Sequence, residues 1–247
     1  MHKNKISLWE FANPKYFVSI SDKLIPWLAI ISVLSLVLGI TWGILFTPDD
    51  YRQGASVKII YIHVPTAFLA INIYIMMLIT SIIWLIRRHH VSLLAAKAAA
   101  PIGLTMTLAA ILTGAIWGKP IWGTYWAWDP RLTSFAILLM FYIGYISIWS
   151  GLEYSEKIGD LSALLCIIGS IFALLSRYAV LFWSQGLHQG ASMSLDKEEN
   201  ISNVFYLPLL VCLFGFFSLF LTLLLIRTRT EIRIKRTTSL IKKHSAK

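Results

Sequence analysis

Acidic residues are scarce in this chain. Only 12 of its 247 residues are Asp or Glu, against 22 Lys and Arg, and charged residues of both signs make up 14%. Soluble domains carry about a quarter charged residues. With 57% hydrophobic residues and a mean hydropathy of +0.70, the composition excludes an ordinary soluble domain and describes a membrane protein. Cysteine is nearly absent as well: Cys166 and Cys212 each lie in an apolar run, and neither CxxC nor CxxCH occurs. That excludes a dithiol redox site and thioether attachment of a cofactor, and leaves both cysteines as small packing residues. No small-residue cleavage motif follows the first apolar run, so no cleaved signal peptide is expected. Nor is there an ATPase motif, an internal repeat or a low-complexity stretch.

Long apolar runs are what the chain has instead. Six of them, at 26–46, 65–86, 98–117, 132–152, 161–183 and 204–226, are each sufficient for a hydrocarbon core of about 30 Å, which needs roughly 20 helical residues. The expected fold is an all-α integral membrane protein, a single domain over residues 1–247 with six transmembrane helices. The net charge of +10 does not mark a nucleic-acid partner, because its distribution is topological. The loops 47–64, 118–131 and 184–203 hold only Arg52, Lys58, Lys119, Arg131 and Lys197. Every other Lys and Arg, except Arg177 inside the fifth run, falls on the opposite side. By the positive-inside rule both termini are cytoplasmic and those three loops face outward.

The second outward loop carries WGTYWAWDP, residues 122–130, with three of the chain's ten tryptophans. Gly118, Pro120, Gly123 and Pro130 argue against a regular helix through it. Tryptophan and tyrosine form belts at membrane interfaces, but a belt spreads its rings over many helix ends. Here Trp117, Trp122, Tyr125, Trp126 and Trp128 crowd into one window, which equally suits a flat aromatic ligand. Asp129 and Pro130 read as the N-cap and first residue of the fourth span. Arg131 then puts a cation in a helix's first turn, against the macrodipole, which an anion above it would relieve: a lipid phosphate or a ligand carboxylate.

Of six histidines, His2, His89, His90 and His244 lie on the basic side as solvated residues. His63, in IIYIHVPTAF, and His188, in WSQGLHQG, both lie outward. Because proline disfavours helix at the residue before it, Val64 is expected to be non-helical and His63 to sit at the mouth of a span starting near Pro65. Either histidine alone reads as a polar anchor. Two beside a tryptophan-dense loop meet the needs of haem, which takes axial imidazoles, an apolar platform and cations for its propionates. Zinc fits less well, since neither a cysteine nor a carboxylate pair accompanies the histidines. Arg177 lies some seven residues inside its span, about 10 Å deep at 1.5 Å per residue. Such a charge either faces the bundle or a wet cavity, or snorkels to the interface.

WGTYWAWDPRLTS resembles the tryptophan-rich WWD signature of the haem-handling membrane proteins of cytochrome c maturation, and IIYIHVPTAF and WSQGLHQG resemble the histidine segments of the shorter, exporter-type members. The resemblance spans all six runs and the order of the motifs. It implies a non-enzymatic protein that holds haem b non-covalently at the periplasmic face of an inner membrane, bacterial or mitochondrial, with iron between His63 and His188. The tryptophan loop, matched by Trp117, Trp122, Trp126, Trp128 and Asp129, would cover the haem and meet the haem chaperone CcmE. The membrane subunit CcmB, the ATPase CcmA and the small CcmD are the implied partners, in an ABC transporter complex. Assigning Arg131 and Arg177 to the propionates, and Tyr125 to the aromatic wall, rests on position alone. A quinone-linked b-type redox protein is the alternative, but it predicts histidines within the spans. A solute transporter predicts polar, broken helices at the midplane.

Overall fold

The computed structural model describes residues 13–152, 154–182 and 201–245. The described residues form six long helices: α1 (Pro14–Leu45), α2 (Ile60–Arg87), α3 (His90–Trp122), α4 (Pro130–Gly151), α5 (Glu156–Phe182) and α6 (Asn203–Ser245). A short 3-10 turn, Ala55–Ile59, leads into α2. All six helices are long and apolar enough to cross a membrane. Among the described residues the only β pairing is the isolated bridge between Asp50 and Gly54.

Hydropathy finds the part of a helix that lipid can cover, and says little about where the helix ends. α1 begins at Pro14 rather than near Pro26, because Asn13 caps it by accepting from the Lys15 amide at 3.0 Å. α6 runs 43 residues, about 65 Å at 1.5 Å per residue. The basic stretch after Ile226 therefore continues as helix well past an apolar core of about 30 Å.

Two expectations about proline and glycine are corrected. Val64 is helical and Pro65 lies inside α2, which starts at Ile60. The Thr66 hydroxyl donates to the Ile62 and His63 carbonyls at 2.8 and 3.0 Å, and Tyr61, Pro65 and Thr66 are all buried. Local hydroxyl bonding and packing override the pre-proline bias, as membrane helices allow. Likewise α3 runs straight through Gly118 and Pro120 and stops only at Gly123, which takes a left-handed φ of 74°. The tryptophan-rich loop is thus 123–129, shorter than the expected 118–131.

α2 occupies the middle of the bundle, packed on α3, α5 and α6. α4 lies against α5 and α3, and α1 lies chiefly along α6. Where lipid surrounds the helices, apolar burial gives no net drive to associate, and close approach through small residues takes its place. The buried residues of α1 are Ser21, Ser32, Gly39 and Gly43. A Cβ at Gly39 would come within 2.7 Å of the Cys212 sulfur and 2.9 Å of the Cys212 amide, so the α1–α6 contact depends on its absence. In the bundle's interior Tyr142 of α4 lies over Gly103 of α3 and donates to the Ala70 carbonyl of α2 at 2.8 Å, joining three helices.

The basic end of the bundle is latched by charge. Arg88 pairs with Asp160, which also accepts from the Trp84 indole at 3.0 Å. Arg229 pairs with Asp22, and Lys97 with Glu231 at 2.7 Å. The α6 extension is thereby tied to α1 and α3.

An alanine Cβ at Gly103 would fall 2.3 Å from the Tyr142 ring and hydroxyl. Gly103→Ala is expected to cost about 1–3 kcal/mol, the usual penalty of overpacking, read as earlier thermal unfolding of the detergent-solubilised protein. Gly144→Ala, whose Cβ meets only Leu165 at 3.4 Å, should leave the midpoint unchanged.

Candidate functional site

The end opposite the Arg88, Lys97 and Arg229 ion pairs gathers the start of α2, the end of α3, the start of α4 and the 46–54 loop. Its centre is His63, three residues into α2 and half-buried. Nδ1 of its ring lies 3.0 Å from the Ala110 carbonyl and 3.1 Å from the Thr113 hydroxyl, both on α3. A carbonyl only accepts, so Nδ1 carries the proton. The Thr113 O–H is itself spent on the Ala109 carbonyl at 2.6 Å, which leaves its oxygen to accept from His63 as well. This tautomer places the ring's lone pair on Nε2, the state in which imidazole binds a metal.

The ring needs room to reach the α3 backbone, and Gly114 supplies it. A Cβ there would stand 2.9 Å from His63 Cε1. One turn further, Trp117 meets the imidazole edge-on, with centroids 5.5 Å apart and planes at 73°. The Trp117 indole N–H donates to Gln53 Oε1 at 2.8 Å.

The tryptophan loop divides into inner and outer rings. Trp122 folds back over Gly118, whose Cβ would lie 2.6 Å from the indole. Gly118 and Gly114 serve as seats for rings rather than as helix breakers. Trp126 and Trp128 pack edge to face at 5.6 Å. The buried Trp126 indole nitrogen has no hydrogen-bond partner among the described residues. Trp128 is 82% exposed and Tyr125 60%, with Lys119 Nζ 5.1 Å over the Tyr125 ring. Lys119 also donates to the Gly123 carbonyl at 2.9 Å, closing the turn that ends α3.

Asp129 and Pro130 occupy the N-cap and first position of α4, with the Leu132 amide donating to the carboxylate at 2.6 Å. Arg131 is partly buried in the first turn of α4, two residues after the Asp129 cap. Arg177 is exposed, five residues before the last described residue of α5. His188 lies outside the described residues. The structure therefore groups His63 with Trp117, and places Arg131 beside the Asp129 cap at the start of α4. Gln53, Ala110, Thr113 and Gly114 escape a sequence reading, since nothing in their type or spacing announces a contact with His63.

The family described as CcmC, heme exporter protein C, matches residues 7–243. Proteins named heme exporter protein C are 58% identical to the chain in Rhodobacter capsulatus, over 94% of this chain and 96% of that protein. The counterpart in Paracoccus denitrificans is 58% identical over 96% and 98%. That of Escherichia coli K12 is 40% identical over 92% and 91%.

If Asp129 serves as a cap, Asp129→Ala should cost about 1 kcal/mol of stability while Asp129→Asn, an equally good cap, costs little. Thermal unfolding of the two variants checks this, and equal midpoints for both would contradict it.

Proposed function

Because the chain belongs to the haem exporter protein C family, we propose that it binds haem at the outer, periplasmic face of the inner membrane and delivers it to the chaperone CcmE for cytochrome c maturation. The observation that carries this reading is the imidazole of His63, held as its Nδ1–H tautomer against the α3 backbone beside a loop of tryptophans. Non-covalent haem b is the cargo. His63 and His188 supply its two axial nitrogens, a ligation that needs no covalent bond to the protein and can be undone when haem moves on.

The exposed faces of Trp128 and Tyr125, with Trp126 behind them, offer an apolar wall to a flat macrocycle and a surface to the chaperone. Arg131 and Arg177 are the cations for the propionates. Like charges at a partly buried site raise each other's cost, and a dianionic edge would offset it. The Trp126 indole N–H, buried without an acceptor among the described residues, is a further donor for a bound carboxylate. The orientation follows from charge: the latched, basic end faces the cytoplasm by the positive-inside rule, so the His63 end faces outward. CcmB, CcmA and CcmD complete the transport complex, and no enzymatic step is assigned to this chain.

Purified wild type should show the spectrum of six-coordinate haem with two nitrogen ligands. His63→Ala and His188→Ala should each lose it or most of their haem, and retention of the wild-type spectrum and content by both would overturn the ligand assignment. Replacing Trp122, Trp126 and Trp128 together with alanine should stop transfer to CcmE while the six helices still insert. Normal transfer would reduce the loop to an interfacial belt.

A further inference from the structure

The loop between α1 and α2 is a rigid turn, and its geometry ends on the ring that touches His63. Asp50 organises it. One carboxylate oxygen, Oδ1, accepts from the Arg52 and Gln53 amides at 2.9 and 2.8 Å. The Asp50 backbone exchanges two hydrogen bonds with Gly54, at 2.8 and 3.2 Å. Gly54 sits at φ 57°, a conformation that costs glycine little and other residues more. The Ser56 hydroxyl donates to the Gln53 carbonyl at 2.6 Å. Gln53 is thus gripped at its amide and at its carbonyl, and its side chain reaches across to α3, where Oε1 takes the Trp117 N–H at 2.8 Å.

We propose that Gln53 is a positioning residue for the haem ligand His63, acting through Trp117. The proposal rests on the reading of His63 as an axial ligand. The Nδ1 bonds to α3 fix one edge of the imidazole, and Gly114 lets it come close. Neither prevents the ring from tipping about that edge. The Trp117 indole, meeting the imidazole at 73°, blocks the tipping on one side, and it does so only while its own rotamer is held. Gln53 holds it. Supporting residues of this kind orient first ligands in metal sites generally. The loop therefore helps to set the direction of Nε2, the nitrogen that would meet the iron.

The test uses the full-length chain purified in detergent, as wild type, Gln53→Leu, Gln53→Glu and Trp117→Phe. Gln53→Glu keeps an acceptor for the indole N–H, Gln53→Leu removes it, and Trp117→Phe keeps an aromatic ring while removing the donor. On haem-free protein, acylation of His63 by diethyl pyrocarbonate is followed on its peptide by mass spectrometry. Gln53→Leu and Trp117→Phe should react about fivefold faster than wild type, the factor to which the ~1 kcal/mol of one hydrogen bond corresponds. Gln53→Glu should stay near wild type. After loading with haem, the first two should show a mixed spin state and the third a wild-type spectrum.

Wild-type acylation rates in both Gln53→Leu and Trp117→Phe overturn the proposal. So does failure of Gln53→Glu to restore wild-type behaviour where Gln53→Leu is impaired. If Gln53→Leu does not fold, Trp117→Phe alone carries the same comparison. The acylation arm involves no haem, so it decides the brace even if His63→Ala keeps a wild-type haem spectrum, a result that would remove the ligand reading instead.

Discussion

The hydrogen bond from His63 Nδ1 to the Ala110 carbonyl is the contact on which the rest of this site depends. It crosses from α2 to α3, fixes which ring nitrogen keeps the proton, and requires the two helices to approach so closely that residue 114 can carry no side chain. One glycine, one carbonyl and one hydroxyl thus give a half-buried histidine ring a defined direction. The end of α3 then adds Trp117 and Trp122, each placed by the turn before it.

The same solution recurs through the bundle. Rings or sulfur lie in the gaps left by glycines: Tyr142 over Gly103, Tyr61 over Gly43, Cys212 against Gly39. Among lipid, packing of this kind is what distinguishes one helix arrangement from another. At the basic end three ion pairs tie helices together, whereas at the His63 end the ion pair of Lys58 with Asp49 lies within the α1–α2 connection. The His63 end also presents the exposed indole of Trp128 and a buried Trp126 indole N–H that has no acceptor among the described residues.

Much of this was legible in the sequence. Six apolar runs specified six helices because lipid demands length and apolarity together, and both are local properties. Asp129 and Pro130 announced the start of α4 through capping chemistry that needs no tertiary partner. What escaped was set by contacts between distant residues. Pro65 and Pro120 looked like helix boundaries until buried packing, with the Thr66 hydroxyl beside Pro65, outweighed their local bias. Gln53 looked like a loop residue, since its meaning lies in an indole far along the chain. The helical extension of α6 past Ile226 escaped for a related reason: no hydropathy scale sees a helix held by Asp22, Lys97 and Ala98 at its flank.

The central claim is that iron is held by Nε2 of His63, in a tautomer fixed by α3. A structure of the haem-loaded protein tests it most directly. The account predicts iron within bonding distance of His63 Nε2, Nδ1 still directed at the Ala110 carbonyl, and the propionate edge toward Arg131 and Arg177. Iron bound through Nδ1, or haem seated away from His63, would contradict it.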